Sequence, residues 1–119
     1  MHQLQSMDVY RLHEYQQTSP AGFTKRVFQQ SPNGLVFVLN FDRGQALPAH
    51  THGESEITVT VLEGEAEADV DGRVQPLERG GVVHCQGKET FSIRNVGTER
   101  LSVLVFLYPG NPKFASNVR

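Results

Sequence analysis

Apolar and polar positions alternate along most of this chain in short runs with period two, the repeat of a strand with one face buried. Residues 23–28 and 34–41 are rich in β-branched and aromatic side chains, and Ser31-Pro32-Asn33-Gly34 between them has strong turn chemistry, which predicts a hairpin. Ile57, Val59 and Val61 alternate with Thr58, Thr60 and Leu62, so three β-branched side chains share one face and are expected to point into the fold. Glu65, Glu67 and Asp69 alternate with Ala66, Ala68 and Val70 ahead of the turn pair Asp71-Gly72, which predicts a half-exposed strand with its acids in water. Residues 82–83, 91–94 and 101–107 supply further strands, and a short strand-like stretch spans residues 9–12. No stretch carries a sustained helical period with a cap, and eleven glycines and six prolines punctuate the chain. Eight to ten short strands joined by tight turns must close on themselves or stack as two sheets, because open edges invite aggregation. The pattern predicts an all-β, single-domain barrel or jelly roll.

Composition narrows the picture. A length of 119 residues is ordinary for one domain, and a formal net charge of -2 with only one adjacent basic pair, Lys25-Arg26, argues against nucleic acid as a partner. The longest apolar run, residues 101–108, is far too short for a helical membrane span, which needs about 20 residues. The first residues lack the basic start and apolar run of a secretory signal, and the single Cys85 cannot form an internal disulfide, so a cytoplasmic location is expected. The organisation expected is an N-terminal arm over residues 1–22, a barrel over 23–109 and a tail over 110–119. The arm is polar enough to suggest packing on a partner subunit.

Candidate chemistry begins at His50-Thr51-His52, because alternate strand residues share a face and two imidazoles can then grip one divalent metal. In context, Gly44, five residues, His50-x-His52, a run of acidic residues and a strand ending in Leu62-Glu63-Gly64 resemble the first motif of the cupin superfamily. Gly80 and Asn95 stand at the separation of the glycine and asparagine that frame the second motif. Inside that frame the family's proline, glycine and metal-binding histidine are replaced by Gln86, Lys88 and Phe91. The chain therefore resembles a small single-domain cupin, covering about residues 23–109, and the resemblance implies a jelly-roll β-barrel, a homodimer and a site inside the barrel.

The resemblance implies His50, His52 and Glu56 as metal ligands, with zinc, iron, manganese or nickel as the divalent ion. The third family histidine is missing, and two countings disagree over the glutamate. Counted forward from His52 the position is Glu56; counted back from Gly64 it is Ile57, and a one-residue slip in a regular strand reverses the face. Glu54 is a second carboxylate in the same stretch. Ile57, Val59, Val61, Cys85 and Phe91 are expected to line the cavity, with Cys85 either a small buried hydrophobe or a soft donor. Phe37 and Leu39 are expected to add to its apolar lining. His84, adjacent to Cys85, should face the opposite way, and His2 and His13 lie in the arm. Three functions stay open: a protein holding a divalent metal, a small molecule or both inside the barrel; a metal-dependent enzyme of dioxygenase or isomerase type; and a metal-free structural or ligand-binding dimer.

Overall fold

The computed structural model describes residues 7–119, so His2 lies outside the described residues. Nine strands follow one another: β1 (Thr24–Ser31), β2 (Gly34–Phe41), β3 (Ala46–His50), β4 (Glu56–Glu63), β5 (Glu65–Val70), β6 (Arg73–Glu78), β7 (Val82–Cys85), β8 (Phe91–Asn95) and β9 (Leu101–Tyr108). They form two antiparallel sheets, ordered β1-β2-β9-β4-β7 and β3-β8-β5-β6, which face each other as the all-β double sheet that the alternation predicts. The interior is filled by the odd-numbered residues of β2, β4 and β9, among them Phe37, Val59 and Val105, opposed by Ala66, Ala68, Phe91 and Ile93 of the smaller sheet. Burying each Val or Leu of this set stabilises the fold by about 1.5–3 kcal/mol.

Both sequence-signalled hairpins form. Ser31 pairs with Gly34 across Pro32-Asn33, and Val70 pairs with Arg73 across Asp71-Gly72, whose φ values of 51° and 84° are those of a two-residue turn suited to strand twist. The pattern did not signal β6, whose side chains are mostly exposed and which carries Pro76; it lies at a sheet edge, where a missing N–H is tolerated.

The arm departs from its expectation. Residues 9–12 form no strand; instead Leu12–Tyr15 make a 3₁₀ turn, and Tyr10 and Tyr15 pack their rings on Phe28 with centroids 4.8 and 5.1 Å away. Asn40, fully buried, donates to the Tyr15 carbonyl and to Thr24 Oγ1, while Ser102 Oγ donates to Asn40 Oδ1 at 2.6 Å. The described part of the arm thus covers its own barrel. Strand β9 likewise finds its cover within the chain, because it runs between β2 and β4 at the centre of the larger sheet.

The tail also folds back. A second 3₁₀ turn, Pro112–Phe114, carries the chain across one end of the barrel, and Val118 exchanges two backbone hydrogen bonds with Lys25, at 2.9 and 3.1 Å, along the free side of β1. Asn117 Oδ1 accepts from the Val27 N–H, so the β1 edge of the larger sheet is capped. Among the described residues, no helix is long and apolar enough to cross a membrane.

Candidate functional site

Strand β3 ends at His50, and the next residues leave the sheet in a loop pinned by its own backbone: the His52 N–H donates to Gly87 O, and the Ser55 N–H donates to His52 O. Gly87 is required there, since a Cβ on it would stand 2.1 Å from Gly53 O. The family motif's glycine position holds Lys88, and the neighbouring glycine supplies the close approach in its place.

The loop brings the two imidazoles together with ring centroids 4.4 Å apart. His50 Nδ1 donates to the Pro48 carbonyl at 2.8 Å, which fixes the tautomer and leaves Nε2 as an acceptor. His52 is 3% exposed, and burial, then the charges of His50 and Lys25, push its pKa down to about 4. Its Nδ1 has no hydrogen-bond partner, alone among the buried side-chain polar atoms of the described residues. The contrast with Asn95 is instructive: that buried amide donates to Phe41 O and Glu99 O and accepts from the Gly97 N–H.

Glu56 does not join the pair. Ile57 takes the inward position on β4, 2% exposed, and Glu56 turns to the outer face, where its carboxylate accepts from His84 Nε2 at 2.7 Å. The strand is regular here, pairing Glu56 with Tyr108 and Ile57 with Leu107, so no bulge re-aims the acid. The sequence expectation of Glu56 as a third ligand is therefore corrected by register.

The two histidines line a cavity of about 420 Å³ at one end of the barrel. Its walls come from both sheets and from the tail: Phe23 and Lys25 at β1, Phe37 and Leu39 on β2, Leu47 and Pro48 on β3, together with Ile57, Val105, Phe114 and Val118. Of the seven residues expected to line it, Phe37, Leu39 and Ile57 do. Val59, Val61, Cys85 and Phe91 are packed into the core beside it instead, because the barrel interior is filled beyond this end. Phe91 is opposite His50 in the β3–β8 pairing, and its ring centroid lies 6.4 Å from that of His52. Cys85 is 2% exposed, and burial, then Glu89 and Asp71, push its thiol up to about 11, which leaves it a protonated core residue.

Among the lining residues that sequence reasoning missed, two stand against the imidazoles or carry charge, Lys25 and Phe114. Lys25 occupies an inward position on β1, opposite Leu39, and is buried against the Phe37 ring with Nζ 4.4 Å from its centroid. The signal was available: Phe23, Lys25 and Val27 share one strand parity, so a charge falls on an apolar face. Phe114 was unreadable from sequence, because it belongs to the tail, yet its ring centroid lies 5.2 Å from that of His52 and 5.9 Å from that of His50.

A divalent metal needs three or four donors of suitable chemistry. The structure offers two imidazoles, and among the described residues no cluster of three or more His, Cys, Asp or Glu side chains could hold a metal ion. The one charged side chain on the cavity wall, Lys25, carries the sign that repels a cation. This donor set does not fit a resident metal.

A two-sheet antiparallel barrel, with a histidine pair at one end and a glycine-to-asparagine frame ahead of its last strand, defines a double-stranded β-helix protein. The chain belongs to the cupin family: the cupin domain, Cupin_2, matches residues 37–107. It superposes on an uncharacterised conserved protein with a double-stranded β-helix domain from Klebsiella pneumoniae with a TM-score of 0.83, 24% identity, and coverage of 95% of this chain and 96% of that one. An RmlC-like cupin protein from Desulfovibrio desulfuricans is 33% identical, with a TM-score of 0.79 over 87% of this chain and 98% of that one. A polyketide synthase, CurC, from Streptomyces cyaneus is 36% identical over 72 residues, which is 59% of this chain and 46% of that relative's length.

Proposed function

We propose that this cupin binds a small, largely apolar organic molecule in the cavity at the His50–His52 end of the barrel, and that the two imidazoles orient it by hydrogen bonding. The observation that carries the reading is the cavity's make-up. About 420 Å³ lies within the range of small-molecule pockets, its wall is mainly aliphatic and aromatic, and a few polar side chains converge at one side. His50 offers an acceptor nitrogen, and the His52 ring stands beside it on the same wall.

The metal-dependent enzyme reading lacks its ligands: Phe91 stands at the position of the third histidine, and Glu56 faces outward. A thermal-shift screen of small aromatic and aliphatic compounds tests the binding reading, because a ligand present at 100 times its Kd stabilises by about 2.7 kcal/mol. Hits that raise the melting temperature of the protein but not of His50→Ala or His52→Ala support it. A screen in which no compound raises the melting temperature, or stoichiometric metal in the purified protein that is lost from the double variant, overturns it.

A further inference from the structure

We propose that Lys25 is an anion receptor and that the cavity's ligand carries a carboxylate on an otherwise apolar body. The inference rests on the binding reading above and adds the ligand's chemical class.

Lys25 has an unusual position for a lysine. It is 9% exposed, its backbone is held on one side by Leu39 of β2 and on the other by Val118, and its ammonium faces into the cavity against Phe37. A buried ammonium ordinarily has a carboxylate partner, because the isolated ion costs several kcal/mol to remove from water. Here no aspartate or glutamate lines the cavity, and none forms an ion pair with Lys25 among the described residues. Its protein contacts are the Phe114 carbonyl, which accepts one N–H, and the faces of Phe37 and Phe114. An ammonium has three donors, so one carbonyl leaves capacity for a second acceptor. The charge is thus balanced within the protein only by a neutral dipole and ring quadrupoles, and a ligand carboxylate supplies the missing counter-charge in a low-dielectric wall.

The rest of the lining fixes the ligand's other end. Leu39, Leu47, Ile57, Val105 and Phe23 present hydrocarbon, which excludes a highly hydroxylated or polyanionic compound. Lys25 is the cavity's one charged side chain, which matches a single carboxylate rather than a phosphate with two charges. Lys25, Phe114 and Val118 all lie outside residues 37–107 that match the cupin domain.

The test uses phenylacetate and its uncharged analogue phenylacetamide, titrated calorimetrically into the full-length protein and into Lys25→Met and Lys25→Gln. Two variants guard against one that fails to fold, and thermal melting of each confirms a cooperative native state. The expected result is that phenylacetate binds roughly tenfold more tightly than the amide, the margin of one charge-assisted hydrogen bond. The preference should vanish in both variants. Equal affinity for acid and amide, or a preference that survives both substitutions, overturns the role of Lys25 and leaves the binding reading standing. Failure of both probes to bind at millimolar concentration, with no hit in the thermal-shift screen, overturns both.

Discussion

Glu56 and His84 meet on the outer face of the larger sheet, carboxylate to Nε2 at 2.7 Å, one residue away from the inward-facing Ile57. That single step along β4 separates a ligand set of three from a pair of imidazoles. Both partners are more than two-fifths exposed, so the contact contributes at most about 1 kcal/mol. Glu56→Ala should therefore shift the melting temperature little and leave ligand-induced stabilisation unchanged. A differential scanning measurement in which the variant loses its ligand response would return Glu56 to the site.

His52 predicts a pH dependence whose sign follows from its environment. Its folded pKa is lowered from 6.5 to about 4 by burial, with His50 and Lys25 adding positive charge nearby. In that interval the unfolded chain holds a proton that the folded protein does not, so stability rises with pH. On acidification the protein should lose up to about 3 kcal/mol as pH falls from about 6.5 to about 4, with the loss levelling below that. Urea unfolding at several pH values, compared between the wild type and His52→Gln, isolates this component from carboxylates common to both. Parallel stability curves for the two proteins would remove the effect from His52.

The fold was legible because alternation is a local signal that closure preserves. Ile57, Val59 and Val61 point inward as their period demands, and the two turn pairs form where their residue types require. The site was legible only in part. The histidine pair could be read from its spacing, whereas the direction of Glu56 depended on register, for which two countings disagreed. The cavity's true lining depended on segments whose partners are remote in sequence: Lys25 and Phe114 are 89 residues apart and meet only because the tail returns across the barrel end. No period or motif encodes such a meeting. The arm misled for a related reason, since its polar composition concealed Tyr10 and Tyr15, whose rings pack on Phe28.

Phe91 stands where the family's second motif has its third histidine, and restoring that histidine tests the donor set. Phe91→His puts a third imidazole opposite His50, near His52. Replacing a ring that is 1% exposed by a polar one should cost about 2–4 kcal/mol, yet zinc added to the variant should be retained through desalting and raise its melting temperature. The wild type should retain none under the same treatment. Stoichiometric zinc on the wild-type protein would show that two imidazoles suffice.

The outer face of the larger sheet exposes large apolar side chains. Phe106 is 46% exposed and stacks edge-on to Tyr108 at 5.2 Å, and Val82, 57% exposed, lies on the same face. We propose that this strip pairs with itself, which predicts a dimer mass by light scattering and a monomer mass for Phe106→Asp. A monomer mass for the wild type at micromolar concentration ends the proposal.

Cys85 distinguishes a reactive thiol from a packing residue. It pairs with Ile57 across β7 and β4 and is buried in the core rather than on the cavity wall, so a reagent entering the cavity does not reach its Sγ. Burial, then Glu89 and Asp71, hold its thiol near 11, well above its ordinary value, so the nucleophilic thiolate is scarce at neutral pH. A disulfide reagent at pH 8 should leave the native protein unmodified over hours and titrate one thiol promptly after unfolding in urea. The protection should vary with global stability, because access requires the two strands to part. A thiol that reacts in the native state at the rate of free cysteine would mean that β7 opens independently of the barrel. A thiol that resists until the unfolding midpoint would place Cys85 among the side chains that hold the two sheets together.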